Sequence, residues 1–224
     1  MNIVITGAGK GIGFAVAKKF LEKGDKVAAV SRNVEKLKLL DFKGLYVSSF
    51  DLLQTDYTPL INFINEKFSH VDILINNAGL LINKPFLDLS DNNFDEIFNI
   101  NVKAAFKLSQ ALIKYFGNPS HIVNISSMGG VQGSVKFPGL SLYSAAKGAL
   151  AVLSETMALE LKEYGIFVNA LALGAVKTEM LEQAFPEYQA PLSPEEMAEF
   201  IFDFAVSGYK YFNGKILPVS ISTP

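Results

Sequence analysis

Hydrophobic and polar positions along this chain form two kinds of segment, which alternate from one end to the other. Short runs of β-branched and apolar residues are typical of buried strands; they occupy residues 2–6, 26–30, 45–50, 71–75, 121–125, 166–173 and 215–219. In the segments between them, apolar positions recur every three or four residues, which is the helical period. These helical segments follow Gly13 and cover about 58–68, 90–116, 143–164 and 194–206. Strands that alternate with helices predict an α/β fold, a doubly wound parallel sheet of about seven strands with helices on both faces.

The chain is expected to form a single domain over residues 1–224. Half of its residues are hydrophobic and 19% are charged, which is ample material for one core with helices on both sides of a sheet. Repeats, linkers and low-complexity segments are absent from the sequence. The segment at about 175–193 contains Pro186 and Pro191 and predicts a mobile cover over a substrate site.

Charge and composition exclude several classes of partner. A net charge of −2 and a pI near 5.8 argue against a nucleic-acid binder, which would carry a basic footprint. Apolar runs stay well short of the ~20 residues that span a bilayer, so we expect no membrane partner. Two separated histidines and no cysteine predict no metal site. A glycine motif within the first residues leaves no room for a signal peptide, and the lack of cysteine suits a reducing compartment, so a cytoplasmic protein is expected.

The first strand runs directly into Gly7-Ala-Gly-Lys-Gly-Ile-Gly13, and a helical pattern follows. A strand, a glycine turn and a helix make up the context that a nucleotide-phosphate loop requires. Glycine permits the tight turn and lets backbone N–H groups approach a pyrophosphate, which the helix N-terminus attracts. A tight turn alone would also use glycines, but this placement favours a cofactor loop, made of Gly7, Gly9, Lys10, Gly11, Ile12 and Gly13.

Residues at the ends of the second and third strands bear on the choice of cofactor. In dinucleotide-binding folds an acid after the second strand holds the ribose 2′-hydroxyl of NAD, whereas an arginine accommodates the 2′-phosphate of NADP. Ser31 and Arg32 stand there and favour NADP(H) over NAD(H), the alternative being an ordinary exposed arginine. Asp51 follows the third strand; it either faces an adenine or caps the helix that begins near Asp56.

Three amides follow this part of the chain at positions where turns or buried helix faces are expected. Asn76-Asn-Ala-Gly79 comes directly after the fourth strand. It either forms a simple turn, or it places Asn77, Ala78 and Gly79 beside the cofactor, where the amides hold neighbouring backbone in position. Asn101 falls in the apolar stripe formed by Phe94, Phe98, Ala105, Leu108 and Leu112. A buried amide needs hydrogen-bond partners, so Asn101 repairs a helix irregularity, holds a water for the site, or does both.

The remaining candidate chemistry lies at Ser127 and in Tyr143-Ser-Ala-Ala-Lys147. A hydroxyl at the carboxyl end of a parallel strand lies where open α/β sheets bind ligands. Tyr143 and Lys147 are four residues apart and share a helix face, and a nearby cation lowers the pKa of a tyrosine from its usual value near ~10. The alternative for this pair is that the two residues merely share a face.

Taken together, these motifs resemble the short-chain dehydrogenase/reductase family over essentially the whole chain. The resemblance rests on the ordered set Thr6-Gly-Ala-Gly-Lys-Gly-Ile-Gly13, Asn76-Asn-Ala-Gly79, Asn101, Ser127, Tyr143-x-x-x-Lys147 and Gly174…Thr178. It implies a Rossmann-like sheet ordered 3-2-1-4-5-6-7. Leu173 stands where relatives usually have a proline, the stretch from Ser127 to Tyr143 is longer than usual, and the chain is short for the family.

The resemblance also implies roles for individual residues. Tyr143 would be the general acid in ketone reduction and the general base in alcohol oxidation, Ser127 would bind the substrate oxygen, and Lys147 would lower the Tyr143 pKa and hold the nicotinamide ribose. Asn101 would keep a water in the proton relay. Val176 and Thr178, after Gly174, would fix the nicotinamide carboxamide.

The function expected from this resemblance is an NADPH-dependent carbonyl reductase that acts on a small-molecule carbonyl or alcohol and assembles as a homodimer or homotetramer. An NADP(H)-binding sensor with little turnover is the alternative; a sugar-nucleotide epimerase would need a larger C-terminal region. A 3-oxoacyl thioester, a pteridine side-chain ketone and a simple aldehyde or ketone all remain open as substrates. The pocket is expected to be apolar, lined by Leu80, Leu81, Ile82, Met128, Val131, Phe137, Met180, Leu181 and Phe185.

Overall fold

The computed structural model describes residues 1–221 and contains one seven-stranded parallel sheet. Its strand order is β3-β2-β1-β4-β5-β6-β7, which confirms the predicted fold class and order. The strands are β1 Asn2–Thr6, β2 Lys26–Ser31, β3 Leu45–Ser49, β4 Val71–Asn76, β5 Phe116–Ser127, β6 Ile166–Leu173 and β7 Ile216–Val219.

Helices connect these strands and cover both faces of the sheet. The α-helices are α1 Gly11–Glu22, α2 Glu35–Lys38, α3 Thr58–Lys67, α4 Asp91–Phe98, α5 Ala104–Leu112, α6 Ser141–Glu160, α7 Glu179–Ala184 and α8 Pro194–Ser207. A π-helical segment, Asn99–Lys103, joins α4 to α5. In residues 1–221, every helix is too short or too polar to cross a membrane.

The core consists of two apolar layers, one on each side of the sheet. Successive side chains of a strand point to opposite faces, so Ile3 and Ile5 of β1 pack with α1 and α8, whereas Val4 between them packs with α3, α5 and α6. Both layers are buried because a parallel sheet is covered on both faces. The polar ends of the strands are therefore the part of the sheet left open to a ligand.

The predicted helix over 90–116 is wrong as a single element. The structure divides it into α4, the π-helical segment and α5, and the chain already enters β5 at Phe116. The π-helical segment adds a residue to one turn. The apolar residues before and after it therefore do not lie on one continuous helix face. Phe94 is 47% exposed and stacks on Phe98 with 4.4 Å between ring centres, while Ile97 is the buried residue of α4.

Candidate active site

A cleft of about 580 Å³ opens at the carboxyl ends of the central strands, a volume typical of small-molecule sites. Most of the residues singled out in the sequence line it: Gly7, Lys10, Gly11, Ile12, Ser31, Arg32, Asp51, Asn77, Ala78, Gly79, Ser127, Tyr143, Lys147, Gly174, Val176 and Thr178. Gly9, Gly13 and Asn101 are not on its wall. The first two lie within the glycine loop, and Asn101 lies behind Gly79.

Ser127 and Tyr143 meet at the inner part of this cleft. Ser127 is the last residue of β5 and its hydroxyl accepts a hydrogen bond from the Gly129 amide at 3.2 Å. Tyr143, in the first turn of α6, lines the same part of the cleft beside Ser127. Burial raises the pKa of Tyr143 to about 12, and the nearby Ser127 hydroxyl opposes that rise. Tyr143 therefore holds its proton at neutral pH, as a proton donor must.

Lys147 lies one helical turn below Tyr143 and is 3% exposed. Its Nζ donates to the carbonyl oxygen of Ile125 at 2.7 Å and is 5.8 Å from the centre of the Tyr143 ring. Burial lowers the pKa of Lys147 to about 8. The sequence predicts that Lys147 lowers the pKa of Tyr143; in the structure burial outweighs any such effect, and the net shift of the Tyr143 pKa is upward.

Asn101 lies in the π-helical segment, and both the nitrogen and the oxygen of its side-chain amide contact backbone groups. Its Nδ2 donates to the carbonyl oxygens of Ile97 at 2.9 Å and Leu80 at 2.8 Å, and its Oδ1 accepts from the Leu80 amide at 3.3 Å. It thus repairs the helix irregularity, one of the two roles considered. A Cβ at Gly79 would lie 3.0 Å from Asn101 Oδ1 and 3.4 Å from Lys147 Nζ, so both side chains approach the same glycine.

The ends of β1 and β4 are tied together beneath the cleft. The Asn77 side chain donates to the carbonyl oxygens of Thr6 at 3.0 Å and Gly7 at 3.3 Å, while Thr6 Oγ1 accepts from the amides of Asn77 and Ala78. This is the backbone-pinning role expected for an amide after β4. It holds the start of the glycine loop in one position.

The glycine loop has the backbone geometry of a phosphate-binding turn. Gly7 has φ of 67°, in the left-handed region that favours glycine. A Cβ at Gly9 would lie 2.5 Å from Ser31 Oγ and 2.3 Å from the Asn33 carbonyl oxygen, so the loop packs directly on the end of β2. The helix α1 starts at Gly11 without a side-chain cap from Lys10, which leaves its first N–H groups for an anion. These residues fit the diphosphate of a dinucleotide.

Asp51 stays at the cleft and does not cap α3. Its carboxylate accepts from the Leu53 amide at 3.0 Å and closes a local turn. The side chain that accepts from the first turn of α3 is that of Asp56, which lies just before the helix and accepts from the Thr58 amide at 2.9 Å. The helix-capping alternative for Asp51 is therefore wrong, and the side chain lies at the end of the cleft that Arg32 also lines.

A cover, defined as residues 175–193, lies across the cleft and includes α7. Its two ends are paired through a parallel bridge between Val176 and Leu192. Its far side is tied to the segment after β4, because Asn83 Nδ2 donates to the Ala184 carbonyl oxygen at 2.7 Å.

Phe185 of the cover faces Phe137, with 6.2 Å between ring centres. The expected substrate wall is present apart from Ile82 and Val131, which do not line the cleft.

Two charged residues of this region are missed by the sequence reasoning. Glu179, the first residue of α7, lines the cleft and binds Lys10. Lys36 of α2 contacts the same carboxylate. The only signal in the sequence is that Glu179 follows Thr178 directly, and nothing there indicates that α2 lies close to it.

Comparison with known proteins gives consistent matches over the whole described fold. A family model described as short chain dehydrogenase matches residues 1–189. A 3alpha-hydroxysteroid dehydrogenase of Mediterraneibacter gnavus is 35% identical and is covered over 94% of its length by 96% of this chain. Among solved structures, a 4-hydroxyisoleucine dehydrogenase mutant complexed with NADH and succinate superposes with a TM-score of 0.87 at 29% identity, over 98% of this chain and 97% of that one. ElxO with NADP bound has a TM-score of 0.85 at 28% identity, over 98% and 96% of the two chains.

Proposed function

This chain belongs to the short-chain dehydrogenase family, and from that membership we propose that it is an NADPH-dependent oxidoreductase that moves a hydride between nicotinamide and a carbonyl or alcohol carbon. The observation that carries the proposal is that Ser127, Tyr143 and buried Lys147 lie on one cleft, with Lys147 Nζ 5.8 Å from the centre of the Tyr143 ring. A nicotinamide cofactor is supported by the neighbours that bind NADH and NADP. A protein that only binds the nucleotide has no need of this arrangement.

In this proposal the bound cofactor supplies the hydride, and the chain supplies position, a proton and electrostatic support. Tyr143 donates its proton to the substrate oxygen in reduction and takes it back in oxidation. Ser127 donates a hydrogen bond to the same oxygen. The Lys147 ammonium lies close enough to stabilise the phenolate that Tyr143 becomes, and a pKa of about 8 leaves it mostly charged at neutral pH. Asn101, beside Gly79, would hold a water that connects to Lys147.

Preference for NADPH rests on the residues around the end of β2. Ser31 puts no negative charge where it would repel a 2′-phosphate, and Arg32 lines the same end of the cleft. Arginine offers a forked pair of donors suited to phosphate. Lys10 in the glycine loop is a second cation at this end. One hydrogen bond to a charged group contributes ~1.5–3 kcal/mol, which corresponds to roughly 10- to 150-fold discrimination before screening at an exposed site.

The lining of the cleft favours an uncharged substrate. In the part of the chain that the structure describes, the charged residues on its wall are Lys10, Arg32, Asp51, Glu96, Lys147 and Glu179. Lys10, Arg32, Asp51 and Glu179 are assigned to the cofactor part of the cleft. The charged residues that remain for the substrate part are the acid Glu96 and the cation Lys147, beside a wall of Leu, Met and Phe side chains. Lys136 is turned away, since its Nζ donates to the Val131 carbonyl oxygen and Ser134 Oγ, both at 2.6 Å. A carboxylate substrate would meet no further cation there.

The experiment that tests this function is NADPH oxidation across matched pairs of ketones, each as a free carboxylic acid and as its methyl ester, repeated with NADH. We expect measurable kcat/KM with the esters and with simple apolar ketones, at least tenfold lower values with the acids, and at least tenfold lower values with NADH. Faster turnover of the acids would contradict the substrate class. Tight NADPH binding without turnover of any compound would instead favour the nucleotide sensor.

We also propose that the chain acts as one NAD(P)-binding domain, in the cytoplasm, as a homodimer or homotetramer. The single sheet supports the first part, since both core layers extend across it. The lack of cysteine suits a reducing compartment. Exposed apolar residues on α4, α5 and α6 support the assembly.

A further inference from the structure

The Glu179 carboxylate lies between two lysines that come from different parts of the chain. Its Oε2 is 3.1 Å from Lys10 Nζ, and its Oε1 is 3.1 Å from Lys36 Nζ. Lys10 belongs to the glycine loop, Lys36 to α2, and Glu179 to the first turn of α7 in the cover. One carboxylate thus bridges two cations and links the cover to the cofactor loop.

Lys10 and Glu179 of this charged cluster line the cleft, and Lys36 contacts Glu179 from α2, the helix that follows β2. The glycine loop packs on the end of β2, because a Cβ at Gly9 would lie 2.5 Å from Ser31 Oγ. The start of α7 packs on the same loop, because a Cβ at Gly11 would lie 3.4 Å from Thr178 Cγ2. The cluster therefore lies where the glycine loop, the segment after β2 and the cover meet. Arg32 belongs to the connection between β2 and α2.

The two lysines form a site suited to an anion, and Glu179 is the anion that fills it in this structure. Hydrogen bonds and charge from Lys10 and Lys36 hold the pKa of Glu179 below its usual value, so the carboxylate is ionised at neutral pH. All three side chains are about half exposed, and exposed ion pairs stabilise a structure only weakly. An incoming phosphate, which carries more charge and more acceptor oxygens than a carboxylate, can replace Glu179.

We propose that Glu179 occupies the place of the NADPH 2′-phosphate, and that Lys36 joins Lys10 and Arg32 in binding that phosphate once Glu179 is displaced. This inference rests on the proposed NADPH-dependent function. It makes Glu179 and Lys36 residues that determine cofactor specificity. It also couples the cover to the cofactor, because the 2′-phosphate releases the first turn of α7 from the glycine loop, whereas a nucleotide without that phosphate leaves it attached.

Isothermal titration of the full chain with two nucleotides tests this inference without any turnover. The probe 2′,5′-ADP carries a 2′-phosphate and a 5′-monophosphate. The probe 5′-ADP carries a 5′-diphosphate and no 2′-phosphate. We expect Glu179→Gln to tighten 2′,5′-ADP binding by roughly two- to fivefold, the size that exposed ion pairs permit, and Lys36→Gln to weaken it by a similar factor or more. Binding of 5′-ADP should change by less than twofold in both variants.

Two variants on the same helices control for net charge. Glu182→Gln removes an exposed acid from α7, and Lys38→Gln removes a lysine of α2 that pairs with Glu35 instead; neither should change the binding ratio of the two nucleotides. A ratio unchanged by Glu179→Gln, or a tightening of 5′-ADP equal to that of 2′,5′-ADP, overturns the inference while leaving the proposed function intact. Failure of the wild type to bind NADPH or 2′,5′-ADP overturns both.

Discussion

His121 is a buried histidine on β5 whose hydrogen bonds admit one protonation state. Its Nδ1 donates to the Ala205 carbonyl oxygen at 3.0 Å, so its Nε2 must accept from Asn169 Nδ2, also at 3.0 Å. The Asn169 amide cannot turn round, because its Oδ1 accepts from the Lys215 amide and its Nδ2 also donates to the Phe212 carbonyl oxygen. A second proton on His121 would place two donors against each other.

The stability of the protein should therefore fall on acidification through this residue. Burial lowers the pKa of His121 to about 4, so between pH 6.5 and 4 the unfolded chain binds a proton that the folded chain does not. That difference reduces the free energy of unfolding as pH falls, by about 2 to 3 kcal/mol between pH 7 and 4.5 at ~1.4 kcal/mol per unit of pKa. Urea unfolding of wild type and His121→Gln at several pH values would measure it.

The control for this measurement is His70→Gln, which removes an exposed histidine. His121→Gln should start from a lower stability at pH 7, because it disrupts the network, but lose less stability on acidification. The His70 variant measures how far removal of an exposed histidine alone changes the profile. Parallel pH profiles for wild type and His121→Gln would contradict the argument.

At the residue scale, the sequence predicts groups that belong to ordered motifs and misses groups that long-range packing brings together. Ser127, Tyr143 and Lys147 follow from a strand end and a four-residue spacing, and the structure places all three at one cleft. Glu179 and Lys36 are separated by most of the chain and become neighbours only through the cover. The balance of electrostatic effects at Tyr143 is likewise set by tertiary burial, which no local spacing contains.

At the element scale, periodic patterns predict the type of each element better than its interruptions. The strand β6 lies at Ile166–Leu173 as expected, because a continuous apolar run bounded by turns has few alternatives. The region over 90–116 differs, since a π-helical turn shifts the pattern by a residue without changing its apolar content. Asn101 in the stripe signals an irregularity there but does not give its length.

The start of β5 shows tertiary pairing overriding local preference. Phe116–Ser120 includes Gly117 and Pro119, which are poor strand residues, yet Phe116 pairs with Val71 and Ser120 with Ile166. The register between β4 and β5 shifts between Val71 and Ile73 to accommodate the extra residues. The helix α2 is too short, at four residues, for a period to predict it.

At the scale of the whole molecule, exposed apolar residues on α4, α5 and α6 support the proposed assembly. Phe94, Phe106, Val152 and Leu159 are between 42% and 76% exposed. Val152 and Leu159 are seven residues apart on α6 and so share a helix face. Apolar groups on three helices of one layer are suited to burial against a second copy of the chain.

Light scattering should therefore show a homodimer or homotetramer at micromolar concentration, and Val152→Glu/Leu159→Glu should shift it to a monomer because a buried unpaired charge is costly. Leu39→Glu, at a residue that is 84% exposed after α2, provides a matched control and should keep the wild-type mass. A wild type that is monomeric at these concentrations would reject the assembly.

The sheet order and the location of the cleft at the strand ends are the whole-molecule features best predicted from sequence. They follow from the alternation of strands and helices together with the resemblance, and the seven-stranded sheet agrees. The position of the cover over the cleft cannot be predicted from the sequence, because it depends on separate contacts such as Asn83 with Ala184 and Phe137 with Phe185. These contacts join segments whose sequences carry no pattern in common.

The most direct test of the account is the turnover of Tyr143→Phe, measured beside its affinity for NADPH. The variant removes one hydroxyl at the cleft and leaves the glycine loop untouched. With the best ketone as substrate we expect NADPH oxidation to fall by at least ~100-fold, since positioned proton transfer contributes ~10²–10⁴-fold, while the Kd for NADPH stays within a few-fold. Tyr164→Phe, at a 62% exposed tyrosine beyond α6, should keep wild-type turnover. Near-normal turnover in Tyr143→Phe would contradict the assignment of Tyr143 as the proton donor.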